Sequence, residues 1–165
     1  MSNFGKIRSE ENPCVRFGKL FAELYYYMGK NILETLGEEK GFQVISKAIK
    51  EFGEFRVRNM KEEAEERDIE VKDMKSFYEV RDMPDCGWVY GDEKGVVVQC
   101  LFDEVWKKYG EIGKKLQKLY CPIDHTIYGG FGFHLERPYC KADGDDICVF
   151  QITRDEDENA DKNKN

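Results

Sequence analysis

The chain has 165 residues, 41% of them hydrophobic and 36% charged, with a net charge of -7 and a pI near 5.1. That is one domain's worth of chain, long enough to bury a core without staples. The acidic balance argues against nucleic acid and against an anionic membrane surface, since both draw on surplus lysine and arginine. No apolar run approaches the roughly 20 residues that span a bilayer. The opening MSNFGKIRSEENP lacks the apolar stretch of a secretory signal, so a cytoplasmic location is expected.

Helical spacing of Val15, Phe17, Leu20, Phe21, Leu24, Met28, Ile32 and Leu33 predicts a first helix over 14–36, stopped by Gly37. A second runs from Glu38 to about Arg67, with Phe42, Ile45, Ala48, Ile49, Phe52 and Met60 inward. The period then shortens. Phe77–Val80, Cys86–Tyr90 and Gly95–Cys100 read as short strands, the last two joined by a turn over 91–95. A third helix is expected over 101–119. Phe131–Cys140 and Ile147–Thr153 read as two more strands around a turn at 141–146. The expectation is an α+β fold: long N-terminal helices on an antiparallel sheet of four to five strands, with one further helix before the C-terminal hairpin. Residues 1–153 form the single domain. The stretch 154–165, RDEDENADKNKN, reads as a disordered acidic tail.

Six cysteines, at 14, 86, 100, 121, 140 and 148, stand in a chain without an export signal, so thiols, metal ligation or catalysis come before disulfides. With Gly144 at a hairpin tip, Cys140 and Cys148 face each other across the strands at about 5 Å, suited to a shared metal ion and also close to disulfide range. Glu136 lies four residues before Cys140 on the same strand face, and Cys121 could swing in from the helix end. Cys121, Glu136, Cys140 and Cys148 would then close a four-ligand structural zinc site. The plainer alternative is small residues filling a sheet face.

Cys121-Pro-Ile-Asp124-His125 combines a thiol with two groups that could activate it or a water, within one helical turn. A helix beginning at Pro122 with Asp124 as a first-turn acid also explains the pattern. Cys100, ending a strand, is the rival nucleophile, and Cys121 is preferred because His125 and a helix start are near. Arg56 continues the apolar face of the second helix and so needs an internal carboxylate or the acid group of a substrate. Trp88 is either a core aromatic or a substrate-binding surface. Gly129-Gly-Phe-Gly132 lacks the lysine and the strand-to-helix setting of a phosphate loop.

Cys100, then a helix, then Cys121-x-x-Asp124, then Gly144-Asp-Asp-x-Cys148-x-Phe150 resembles the L-2-amino-thiazoline-4-carboxylic acid hydrolase family. Leu36-Gly-Glu-Glu-Lys-Gly…Ala48…Glu51-Phe-Gly…Arg56 is similar to the family's N-terminal half, and the likeness covers about 36–152. The ending, with Leu135-Glu136-Arg137 ahead of it, is shared more loosely with vinyl-4-reductase-type ligand-binding domains, in some of which a Glu and three Cys hold zinc. The resemblance implies a hydrolase acting on a small cyclic amidine-type C–N bond, as in opening aminothiazoline carboxylate to a carbamoyl-cysteine. Cys121, Cys100, Asp124 or His125 would be catalytic, and Arg56 and Trp88 would bind substrate. The rival is a non-enzymatic small-molecule sensor with structural zinc. The expected partner is a small ligand carrying a carboxylate; no cofactor is required beyond the candidate zinc, and a homodimer is left open.

Overall fold

The computed structural model describes residues 4–154. Two long helices, α1 (Pro13–Leu36) and α2 (Glu38–Glu66), form an antiparallel pair. Asn12 starts α1 by accepting the Cys14 N–H at 2.8 Å, with Pro13 at the first helical position. Gly37, at φ +76°, ends it and lets α2 begin at once.

The face that α1 buries is made of small or long residues: Gly18, Lys19, Ala22, Tyr26 and Gly29. A side chain at Gly29 would sit 2.5 Å from Leu116, so the glycine sets the approach of the two elements. Phe17, Leu20, Leu24 and Met28, which share the helical spacing read from the sequence, are exposed.

Of the segment 77–80, expected to be a strand, residues 77–79 are helical, within α3 (Met74–Glu79), and Val80 caps that helix. Asp73 accepts the Ser76 N–H at 2.8 Å while the Ser76 hydroxyl accepts the Asp73 N–H at 3.1 Å, a capping box that overrides the β-propensity of Phe77 and Tyr78. The expected helix over 101–119 is two, α4 (Leu101–Trp106) and α5 (Gly110–Tyr120), joined by a 3-10 turn at 107–109. Gly110 takes φ +60° at the break, and a Cβ at Gly113 would meet the Trp106 carbonyl at 2.0 Å. A further short helix, α6 (Ile123–Gly129), follows Pro122.

The strands are antiparallel but split between two small sheets. β1 (Val89–Tyr90), β2 (Val96–Gln99) and β4 (Cys148–Val149) make one; β3 (Phe133–Glu136) and β5 (Gln151–Arg154) make the other. The simple hairpin expected around Gly144 is therefore corrected: β4 crosses to β2, pairing Val97 with Cys148, while β5 returns to β3, pairing Glu136 with Gln151. Gly144 does turn the chain, at φ +105°. The fold is α+β. Of the expected tail, Arg154 closes β5 and the rest lies outside the described residues. Among the described residues no helix is long and apolar enough to cross a membrane.

The core is an aromatic stack. Trp106 is fully buried and its indole N–H donates to the Ala22 carbonyl at 2.8 Å. Tyr25 and Trp106 each lie 5.2 Å from the Tyr120 ring, and Phe102 lies 5.6 Å from it. This stack fixes where α5 ends, and the polar groups described next gather at that end.

Candidate functional site

Arg56 is 7% exposed on the inner face of α2, as its place in the apolar register requires. Its partner is internal. Nε donates to Asp82 Oδ2 at 2.9 Å and Nη2 to Asp82 Oδ1 at 2.6 Å, a bidentate pair. Burial works against the Arg56 charge, and Asp82 restores it. The fork expected to hold a substrate carboxylate is thus occupied by Asp82, although Nη1 makes no hydrogen bond among the described residues.

Asp124 sits in the first turn of α6 with its side chain 31% exposed. Burial of the carboxyl pushes it above the ordinary carboxylate value, against the opposing charges of Arg137, Arg56 and His125. Arg137 donates to Asp124 Oδ2 at 2.9 Å. His125 itself is exposed and acts on Asp124 by charge.

Tyr120, the last residue of α5, is 5% exposed. Its hydroxyl is buried and has no hydrogen-bond partner, the one such side-chain group among the described residues. An orphaned hydroxyl costs about 1–3 kcal/mol. Arg56, Asp124, Cys121 and Cys100 all lie close enough for their charges to act on it, and burial keeps it protonated.

Cys100 precedes α4, and its sulfur faces the backbone N–H groups of Asp103 and Phe102 and the indole N–H of Trp88. Burial outweighs these donors and holds it as a thiol. Trp88 also lies beneath the guanidinium of Arg81, 5.6 Å from its ring centre.

The three remaining candidate thiols meet. Cys140 and Cys148 are buried with Ala142, and Cys121 packs against them. The contacts of Cys140 with Cys121 and Cys148, and the nearby Arg137 charge, push the Cys140 thiol down, while the same contacts and burial push Cys121 and Cys148 up. Sequence spacing favoured Cys121 as the activated thiol, and the structure sets that thiol against Cys140. Lys141 N–H completes the cluster at 3.3 Å from Cys148 Sγ.

Glu136 does not join it. It is 66% exposed on β3, 3.5 Å from His134. The residues named for a four-ligand zinc site therefore supply three thiols and no fourth donor, and among the described residues no group of three or more His, Cys, Asp or Glu is arranged to hold a metal ion.

Two grooves are lined by other residues, the second of them by Pro122, Ile123 and Thr126, which flank Asp124 in the chain. One of about 380 Å³ is lined by Lys61, Ile69, Val71 and Phe131 among others; one of about 240 Å³ runs past Lys50, Lys118 and Thr126.

Sequence reasoning missed Asp82, Arg137 and Tyr120. Tyr120 carried a usable signal: it stands four residues after Leu116, on the buried stripe of α5, so its hydroxyl had to enter the core. The partnerships of Arg56 with Asp82 and of Arg137 with Asp124 are tertiary, and no local spacing foretells them.

The sequence profile of the L-2-amino-thiazoline-4-carboxylic acid hydrolase family matches residues 18–152. No curated protein and no solved structure matches the chain significantly. The match takes in α2, both sheets and every polar group described above, and it ties the chain to hydrolase-type chemistry: the protein belongs to the L-2-amino-thiazoline-4-carboxylic acid hydrolase family.

Proposed function

We propose that this protein hydrolyses a small cyclic amidine, opening its ring at the amidine carbon, with L-2-amino-thiazoline-4-carboxylic acid as the reference substrate. The observation that carries the reading is the gathering of Asp124, Arg137, Arg56, Cys100 and the unpartnered Tyr120 hydroxyl around the end of α5. Buried polar groups in native proteins are normally satisfied, so an orphan beside titratable groups marks a place where a ligand completes the structure.

Asp124 is the base. Its carboxyl is raised by burial, which brings a carboxylate closer to the proton affinity a general base needs. It takes a proton from water, the water oxygen adds to the amidine carbon as the imine nitrogen takes up a proton from solvent, and the bond to the ring heteroatom then breaks. Asp124 then gives the proton to the departing heteroatom. The hydroxyl proton of the adduct leaves to solvent as the carbonyl forms. Arg137 holds the carboxylate in place. The reading routes the attack through water and not through Cys100 or Cys121: burial pushes the Cys100 thiol up against its hydrogen-bond donors, and burial together with the contact to Cys140 pushes Cys121 up.

Incubating the protein with L-2-amino-thiazoline-4-carboxylic acid and following the gain of one water by mass spectrometry tests the reading. Turnover that disappears in Asp124→Asn supports it; a folded wild-type protein that leaves the ring closed contradicts it.

A further inference from the structure

The outward faces of the two long helices differ in kind. On α2 the exposed positions are mostly charged or polar, among them Gln43, Lys47, Lys50, Glu51, Glu54 and Arg58. Exposed apolar residues there, such as Val44 and Phe55, stand singly, which is ordinary on a protein surface. On α1 every exposed position from 17 to 28 is apolar: Phe17, Leu20, Leu24, Tyr27 and Met28, between 49% and 72% exposed. Spacings of three and four residues set them side by side in one stripe about 16 Å long. The two charged residues of that stretch do not interrupt it: Lys19 is buried against Glu11, and Glu23 is tied to Lys108 and Tyr109. Polar residues frame it, Arg16 at one end and Lys30, Asn31 and Glu34 at the other. Side chains of that size and exposure present about 500 Å² of apolar surface per chain, a contiguous patch of the kind that marks an interaction site. No segment outside the described residues is suited to cover it: 1–3 and 155–165 carry no apolar side chain larger than that of Ala160 except Met1.

We propose that this stripe is the contact face of a homodimer, in which α1 of one chain packs antiparallel against α1 of a second copy. The spacing is self-complementary. A two-fold axis midway between Leu20 and Leu24 sets Leu20 of one copy against Leu24 of the other, and Phe17 of one against Tyr27 of the other. Two such faces together bury about 1,000 Å², the area at which specific interfaces begin, with the apolar centre and polar rim that such interfaces have. Antiparallel packing also sets the two helix dipoles head to tail. It keeps Arg16 from Arg16 and Lys30 from Lys30, like charges that parallel packing brings together. A lipid surface fits less well: the net charge is -7, and the stripe lacks the lysine- and arginine-rich flanks of membrane-binding helices. The contact uses only the outward face of α1, so it stands or falls independently of the hydrolase reading.

Size-exclusion chromatography with light scattering on the full chain tests it. At about 100 μM, a hundredfold above a micromolar Kd, the wild-type protein is expected to show the mass of two 19.4 kDa chains. Leu24→Glu and Leu20→Lys each place two unpaired charges in the contact, one from each copy. Each variant alone is expected to show a single-chain mass, a weakening of about a thousandfold. Because position 20 of one copy faces position 24 of the other, mixing the Leu20→Lys chain with the Leu24→Glu chain is expected to restore the two-chain mass. That recovery also shows that both variants are folded. Phe55→Glu, which alters a comparably exposed aromatic on α2, is expected to remain dimeric. The proposal is overturned if the wild-type chain shows a single-chain mass, including the case in which it sediments with phosphatidylcholine vesicles and a lipid surface is the occupant. A Leu24→Glu chain that remains dimeric, a mixture that remains monomeric, or a dimer that Phe55→Glu dissociates overturns it too.

Discussion

Arg137 binds two things at once: its Nη1 donates to Asp124 Oδ2 at 2.9 Å and its Nη2 to the Cys121 carbonyl at 2.9 Å. One guanidinium, just beyond β3, thereby ties down the junction between α5 and α6 and the carboxylate that α6 presents. Arg137 opposes the burial that raises Asp124. Removing it in Arg137→Met lets the Asp124 carboxyl rise further. A base works when ionised, so activity falls as pH drops through its pKa. The acid limb of kcat/KM for wild type is therefore expected above the usual carboxylate value of about 4, and the limb of Arg137→Met at higher pH still. A limb that stays in place when Arg137 is removed would detach Asp124 from the base role.

Arg56 and Asp82 are both largely buried, with side chains 9% and 18% exposed. Truncating one member leaves the other charge without its partner, which costs about 3 kcal/mol. Arg56→Met is expected to lose stability on that scale in urea unfolding, and Arg56→Met combined with Asp82→Leu to recover much of it. If Arg56→Met loses less than about 1 kcal/mol, the pair is not the internal anchor described.

Thiol accessibility gives a third check. Cys14 is exposed, whereas Cys140 and Cys148 are buried. Cys140 is pushed down by its thiol neighbours and Arg137 but is only 5% exposed, and burial with the contact to Cys140 pushes Cys121 up. Iodoacetamide at neutral pH, followed by peptide mapping, is expected to label Cys14 first and to reach Cys121, Cys140 and Cys148 only when denaturant opens the fold. Cys121→Ser is expected to keep most of its turnover, because a hydroxyl still donates to Cys140. A loss as deep as that of Asp124→Asn would move the attacking atom from water to sulfur.

The helices were the legible part of this sequence, and particular residues show why. Gly37 marks the end of α1 in the sequence itself, and the inward register of Arg56 follows from counting along α2. Strand pairing was less legible: Cys140 and Cys148 do meet, but through β4 joining β2 and not through a hairpin ladder, a choice made by contacts far apart in sequence. At α3, a local cap outweighed two aromatic residues that favour strands. The candidate site divides in the same way. Cys121, Asp124, Cys140 and Cys148 could be singled out by spacing, whereas Asp82 and Arg137 become visible only once tertiary structure supplies the partners of Arg56 and Asp124.

The most direct test of the central claim is hydrolysis of L-2-amino-thiazoline-4-carboxylic acid in water labelled with heavy oxygen, comparing wild type with Asp124→Asn. The account predicts one heavy oxygen in the ring-opened product of wild type and no enzymatic product from a folded Asp124→Asn chain. Ring opening by Asp124→Asn at the wild-type rate, or none by wild type, would contradict it.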